Sequence, residues 1–370
     1  MTRIPTTSQS IWYDESQDAV IIIDQTRLPH EYTLLTLQSL QGTCEAIISM
    51  QVRGAPLIGV TAAYGVYLAL RENPGQLSLA LERLAATRPT AVNLRWALQR
   101  MQSGLADFSG KELVAAALAI ARHMEQEDIN ICAAIGEHGA ALLAALWQQK
   151  KDQAQVLNVL THCNAGALAT VDWGTALAVI YKAAGKGIPV HVWVDETRPR
   201  NQGAALTCWE LGRRGIPHTL IVDNAGGHLM QQGLVDICVV GSDRTAVNGD
   251  VCNKIGTYLK ALAAYDNAIP FYAALPLSTI DFTLPAGVGQ VPIEQRDGEE
   301  VSHLRGVDIS GVSHTIRIAP AGVAINNYGF DVTPARLVTG IITEAGVHAA
   351  STSALQPLAT IARQNSTVRN

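Results

Sequence analysis

The feature that most constrains this 370-residue chain is a change of texture near residue 151. After the polar junction Lys150-Lys151-Asp152-Gln153, short β-branched runs alternate with amphipathic stretches. The runs fall at 156–161, 190–194, 219–222, 237–240 and 270–274, and the stretches near 174–186, 201–214, 226–232 and 254–267. Strand–helix–strand alternation at this spacing predicts a doubly wound parallel sheet, an α/β class. A final helix is expected near 334–345, after Asp331-Val332-Thr333-Pro334. Residues 282–318 are expected to be irregular or to form a β excursion, and the tail from Gln364 to fray.

Before the junction the chain reads differently. Strand-type runs occur at 11–13 and 19–24, and 24–29 reads as a turn or a further short strand. From Leu35 onward apolar residues recur at helical spacing, near 36–51, 56–71, 76–86, 91–105, 111–125 and 128–148. Breaks fall at Arg53-Gly54-Ala55-Pro56, Asn73-Pro74-Gly75, Arg88-Pro89 and Ser109-Gly110. The expected organisation is a small N-terminal β plus helical domain over 1–150, followed by a parallel-sheet α/β domain over 151–370.

Composition agrees with two cores. Only 16% of residues are charged and 48% are hydrophobic, against roughly 25% charged in a typical domain. The chain also exceeds the roughly 250–300 residues at which one core stops growing. High apolar content excludes disorder. A net charge of −5 with 5% aromatics speaks against a nucleic-acid surface, which needs clustered cations and stacking platforms. The N-terminus has no apolar region of secretory type. The strongest apolar stretches, 114–121 and 140–147, are short of a membrane span. No two of the six cysteines stand closer than Cys238 and Cys252, so there is no CxxC for zinc or redox work. Reduced thiols in a cytoplasmic protein are expected, with Cys44, Cys132, Cys208, Cys238 and Cys252 in the core.

Ligands of an open parallel sheet bind outside the carboxyl ends of its strands. The residues after the first run are His162-Cys163-Asn164-Ala165-Gly166. Those after the second are Asp195-Glu196-Thr197-Arg198-Pro199-Arg200. The third is followed by Asp223-Asn224-Ala225-Gly226-Gly227, and the fourth by Gly241-Ser242-Asp243-Arg244, then Asn248 to Lys254. Acids, amides, a thiol and glycines at four ends of one sheet favour a site. No G-x-G-x-x-G and no G-x-x-x-x-G-K-[ST] occurs, so a nicotinamide or nucleoside triphosphate site is unsupported, and Glu196 as a ribose-binding acid is a weak signal. Each residue also has a plain structural reading. Cys163 could be an inert packed thiol, although a helix N-terminus after it would stabilise a thiolate. Asp243 could pair with Arg244. Arg53-Gly54-Ala55-Pro56 could be only a helix start. His162 reads as a structural hydrogen-bonder. Lys254 at a helix start would oppose the macrodipole, which suggests a ligand role.

The same residues resemble the methylthioribose-1-phosphate isomerase family. The resemblance runs through Arg53-Gly54-Ala55-Pro56-Leu57-Ile58-Gly59, Arg88-Pro89-Thr90-Ala91-Val92-Asn93-Leu94 and Leu160-Thr161-His162-Cys163-Asn164-Ala165-Gly166. It continues in Glu196-Thr197-Arg198-Pro199-Arg200-Asn201-Gln202-Gly203, Gly241-Ser242-Asp243-Arg244 and Gly249 to Thr257. It covers roughly residues 15–350, in a superfamily that includes regulatory subunits of translation initiation factor 2B. It implies a Rossmann-like second domain, a homodimer, and an aldose–ketose isomerisation in methionine salvage without metal or organic cofactor. By motif position, Asp243 matches the family's proton donor and Cys163 its second catalytic residue. Arg53, Gly54, Ala55, Arg88, Gln202, Asn253 and Lys254 match substrate-binding positions.

On that reading Asp243 protonates the ring oxygen, and Cys163 abstracts or relays a proton or stabilises developing charge. Arg53, Arg88 and Lys254 clamp the phosphate. Gly54 and Ala55 allow close backbone approach, and Gln202 and Asn253 bind sugar hydroxyls. The implied partner is a small sugar phosphate, with no nucleic acid or membrane. Three alternatives stay open: 5-deoxyribose-1-phosphate isomerase, ribose-1,5-bisphosphate isomerase, and a non-catalytic translation-factor subunit. A hydride shift and an enediol route are both compatible with the sequence.

Overall fold

The structure, a computed structural model, describes residues 9–366. The start of the N-terminal segment and the end of the expected frayed tail therefore lie outside the described residues. The chain opens with an antiparallel meander of β1 (Ile11–Asp14), β2 (Ala19–Ile23) and β3 (Leu34–Leu37). Residues 24–29 form the turn before β3. β3 occupies the start of the stretch read as helical, because Leu35 and Leu37 pair with β2 before the helical spacing takes hold.

Five helices follow: α1 (Leu40–Ile48), α2 (Ala55–Glu72), α3 (Leu77–Thr87), α4 (Val92–Gly104) and α5 (Gly110–Lys150). Ser39 caps α1 by accepting from Gly42 N (3.1 Å). α2 is buried from Leu57 to Leu70, the pattern of a helix apolar all round at the centre of a core. The stretches expected as two helices at 111–125 and 128–148 are one helix. Glu125-Gln126-Glu127-Asp128 between them contains no Gly or Pro to stop propagation. α5 is long and apolar enough to cross a membrane by length and composition. Its buried apolar residues pack into two cores of the protein. Leu113, Ala117, Ile120 and Met124 join the helical core, while Ile135, Ala140 and Leu143 join the core of the sheet. At the second contact Gly139 lies against α6 (Ala176–Gly185), where a Cβ would fall 2.3 Å from Val179.

The sheet region contributes β4 (Leu157–Thr161), β5 (Val190–Asp195), β6 (His218–Ile221) and β7 (Ile237–Val240), joined by α6, α7 (Cys208–Arg213) and α8 (Ala225–Gln231). A second, smaller sheet includes β8 (Arg244–Ala246) and β9 (Val251–Lys254). After α9 (Thr257–Asp266) come β10 (Phe271–Ala274) and β11 (Ile280–Asp281). α10 (Glu299–Ser302) leads to the exposed hairpin of β12 (His303–Val307) and β13 (Ser313–Arg317), a β excursion in the expected place. The chain closes with β14 (Phe330–Thr333), β15 (Gly340–Thr343), β16 (Gly346–His348), α11 (Thr352–Leu355) and α12 (Leu358–Ser366).

The helix expected at 334–345 is a correction. Only a 3₁₀ turn at Ala335–Leu337 forms, and Gly340–Thr343 is a fully buried strand beside β10. Its β-branched run fills an open sheet position, and tertiary context decides. A second correction concerns Lys254, which ends β9; α9 begins only at Thr257, after Gly256 in the left-handed conformation.

The large sheet has the order β16-β15-β10-β7-β4-β5-β6, parallel except for β16. In chain order its six parallel strands run 3-2-1-4-5-6, the Rossmann arrangement, and the order reverses between β4 and β7. The small sheet, ordered β11-β8-β9-β14, grows from the end of β7. Its strand β9 carries Lys254 back toward that reversal point.

Candidate active site

The crevice at the reversal of strand order is where an open α/β sheet binds ligands. It is opened here by His162-Cys163-Asn164 after β4 and by Gly241-Ser242-Asp243 after β7. Cys163 is buried and sits at φ 65°, a left-handed conformation that a side chain rarely adopts. Its neighbours hold it there. Its N–H donates to Thr197 Oγ1 (2.9 Å), and its carbonyl accepts from Thr207 Oγ1 (2.7 Å). Asp243 is fixed by its N–H donating to Cys252 O (2.9 Å).

Both side chains face one cleft of about 730 Å³, including its open mouth. Arg53, Gly54, Ala55 and Arg88 line it from the helical side, and Gln202, Lys254 and Phe330 from the sheet side. Asn253 is the exception among the expected residues. It borders a smaller adjoining cavity with Arg53, Cys163 and Asp243, and its amide donates to Thr257 Oγ1 (3.1 Å). Gly54 serves as both helix start and cleft wall. It precedes α2 at φ 95°, with Pro56 in the first turn, and a Cβ on it would lie 2.4 Å from Ala169 O. Only glycine lets the backbone approach this closely.

The cations are individually anchored. Arg53 donates through Nη1 to Asn164 Oδ1 (2.6 Å) and through Nη2 to Asn164 O (2.7 Å). Lys254 donates to Gly329 O (2.9 Å) and lies 4.7 Å from the centre of the Phe330 ring. Arg88 pairs with Glu294 at 2.8 Å. Gln202 is buried, and its side-chain oxygen has no partner among the described residues.

Burial sets the protonation states. It pushes the Asp243 carboxyl up, against the pull of Lys254, Arg53 and Arg88, with Glu294 adding to the rise. It pushes the Cys163 thiol up too, against Arg53 and Lys254, and it pushes the Lys254 ammonium down. The expected helix N-terminus beside Cys163 is not there. A 3₁₀ turn at Ala167–Ala169 follows, and α6 starts at Ala176, so no macrodipole lowers the thiol. The arrangement offers an acid with a raised pKa, a neutral thiol and a ring of cations around one open-mouthed cleft.

The plain readings also resolve. Arg244 turns from Asp243 to Thr90 O (3.0 Å) and Asp281 (4.0 Å). His162 is a structural hydrogen-bonder, with Nδ1 3.0 Å from Asp195 and Nε2 2.8 Å from Ile255 O. With Asp195 and Asp223 it forms a group whose donor atoms could in principle hold a metal. Most of those atoms are already engaged, although Asp195 Oδ1 is buried without a hydrogen-bond partner among the described residues. Both ring nitrogens are bonded, Asp223 accepts from Thr197 N and Arg198 N, and Lys260 stands 3.4 Å from Asp195. Glu196 does not line the cleft. Sequence reasoning missed Glu294, which lies in the stretch read as irregular, and Glu210, an acid within an amphipathic run.

The chain matches the Initiation factor 2 subunit family over residues 51–350 and belongs to it. It is 58% identical over 352 residues to methylthioribose-1-phosphate isomerase from Methylorubrum populi, covering 95% of this chain and 96% of the relative. Two solved structures share the fold over nearly their whole length. 5-Methylthioribose 1-phosphate isomerase from Pyrococcus horikoshii OT3 has a TM-score of 0.81 at 38% identity, covering 96% of this chain and 97% of that one. The delta subunit of translation initiation factor eIF-2B from A. fulgidus has 0.77 at 39%, covering 93% and 96%.

The electrostatics make a prediction for Cys163. The pH midpoint of its alkylation by iodoacetamide, followed on its peptide by mass spectrometry, should lie above the roughly 8.5 of a free thiol. Lys254→Met should raise it further by removing a nearby positive charge. A midpoint below that of a free thiol would contradict the site as described.

Proposed function

We propose that this protein is an aldose–ketose isomerase converting 5-methylthioribose 1-phosphate to 5-methylthioribulose 1-phosphate in methionine salvage. The observation that carries the reading is a half-buried acid and a buried thiol facing one cleft, framed by Arg53, Arg88 and Lys254. Relatives spanning nearly the whole chain bear the name of that activity.

The chemistry suits the residues. The anomeric oxygen of this substrate carries phosphate, so the ring does not open freely to an aldehyde. Arg53, Arg88 and Lys254 hold the phosphate, with Arg suited to paired contacts. Gln202 and Asn253 meet sugar hydroxyls, and Gly54 and Ala55 let the backbone close on the ligand. Asp243, whose carboxyl pKa desolvation raises, gives its proton to the ring oxygen as the bond to C1 breaks. The electron-poor C1 then takes hydrogen with its electron pair from C2. The C2 hydroxyl loses its proton as the ketone forms, and that proton restores Asp243. A thiol held neutral is a poor base, so Cys163 stabilises developing charge beside C1 and C2 and does not abstract a proton. This favours the hydride shift over the enediol route.

The C5 group follows from the cleft wall. Met50, Ile58, Val291, Pro292 and Phe330 supply an apolar surface beside the cations. It suits a methylthio group better than the second phosphate of ribose 1,5-bisphosphate. 5-Deoxyribose 1-phosphate fits the same wall with less contact, and an apolar pocket separates such pairs only modestly. The same reading places the enzyme in the cytoplasm as a homodimer, without nucleic-acid or membrane partners. Its scarcity of charged residues supports a subunit interface, and light scattering should give a mass near twice 39.4 kDa.

The test is kcat/KM on the three sugar phosphates. Methylthioribose 1-phosphate should lead 5-deoxyribose 1-phosphate by about tenfold or more, with the bisphosphate last. Binding without turnover of any of them would favour a regulatory subunit. Asp243→Asn should lower kcat by about 10²–10⁴. In the parent enzyme, activity should fall as pH rises through the Asp243 pKa, because the acid form is the working form. Its raised pKa moves that limb upward from the carboxylate range. Deuterium placed at C2 should remain in the product at C1; washout into water would refute the hydride shift.

A further inference from the structure

The loop after Cys163 is built on a carboxylate that the chemistry above does not use. Glu210 in α7 is 4% exposed, and its two oxygens collect four donors. Oε1 accepts from Asn164 Nδ2 (2.9 Å) and Leu168 N (3.2 Å). Oε2 accepts from Ala167 N (2.8 Å) and the Tyr181 hydroxyl (3.0 Å). These donors favour the ionised form, against burial that pushes the pKa up. Gly166 makes room for the carboxylate, since a Cβ there would lie 2.4 Å from both oxygens.

The approach to α7 supports the same arrangement. The chain enters it through a π-helical turn at Gly203–Thr207, a departure often found beside functional sites. Thr207 and Glu210 both meet the 163–168 loop. Because Thr207 gives its proton to Cys163 O, its hydroxyl oxygen is left to accept from Asn164 Nδ2 (3.2 Å).

Backbone N–H groups donate to both Glu210 oxygens, which places the carboxyl group as an acceptor toward its neighbours. The Asn164 amide must therefore turn its NH₂ toward Glu210 and Thr207. Its oxygen then faces the opposite way, where Arg53 Nη1 meets it at 2.6 Å. We propose that Glu210 is a positioning residue that, through the Asn164 amide, fixes the Arg53 guanidinium for the substrate phosphate. The inference rests on the reading of Arg53 as a phosphate-binding group. Glu210 itself touches neither substrate nor reacting atoms.

Glu210→Gln tests it with almost no change in shape. The new amide presents donors where an acceptor stood. Asn164 is then free to invert and to set its own NH₂ against the guanidinium. KM for methylthioribose 1-phosphate should rise about tenfold, while kcat falls by less than about threefold, the split expected for lost phosphate binding. Glu210→Asp, which keeps an acceptor-only group, should recover part of the loss. In an Asn164→Ala background, Glu210→Gln should raise KM no further. A KM within twofold of the parent, or an equal further rise in that background, would overturn the proposal. If Glu210→Gln does not fold, Asn164→Ala carries the test, and an unchanged KM there overturns it. Calorimetry with inorganic phosphate on the same proteins separates the two readings. An enzyme that turns over no sugar phosphate refutes the isomerase, while the loss of phosphate affinity in Glu210→Gln still decides the role of Glu210.

Discussion

The contact on which this site depends is the pair of hydrogen bonds from Arg53 to Asn164. Arg53 stands just before α2, and Asn164 directly follows Cys163 at the end of β4. The contact ties the helical core to the sheet where the strand order reverses. It needs a charged, forked donor on one side. On the other it needs an amide whose oxygen is free, and Glu210 with Thr207 supplies that condition. Gly54 allows the approach, because its missing Cβ lets the chain lie against Ala169. Without this junction Cys163 and Asp243 would line only half of a cleft.

Whole-chain charge is a poor guide to such a site. The net charge of −5 would seem to disfavour a phosphate ester. The local field is what counts, and three cations converge on the crevice with one acid whose pKa is raised by desolvation. Glu294 tempers them by pairing with Arg88 and pushing Asp243 up. Burial thus does two things at once. It disfavours ionisation of the acid and the thiol, and it strengthens the attraction of the cleft for a dianion.

Much of the fold was legible in the sequence, and for physical reasons. The strands β4, β5 and β7 are short β-branched runs, and their ends carry the polar residues that a crevice requires. The motif positions of Asp243, Cys163, Arg53, Gly54, Arg88, Gln202 and Lys254 converge on one cleft, although Asn253 faces an adjoining cavity. Local signals failed where long-range pairing decides. β15 reads as helix because nothing nearby reveals its place beside β10. α5 reads as two helices because a polar interval resembles a break without containing a breaker. Lys254 reads as a helix start, yet β9 extends through it to pair with β14. Glu210 and Glu294 were invisible in their roles, since each acts on a residue far away in the chain.

The central claim is that a sugar phosphate sits between the end of β4 and the end of β7, gripped from both halves of the chain. A crystal structure of the Asp243→Asn protein with methylthioribose 1-phosphate tests it most directly. The phosphate should lie on Arg53, Arg88 and Lys254, the ring oxygen against residue 243, and C1 and C2 beside the Cys163 sulfur. A phosphate bound away from these cations, or a sugar turned so that its ring oxygen faces neither residue 243 nor the Cys163 sulfur, would contradict it.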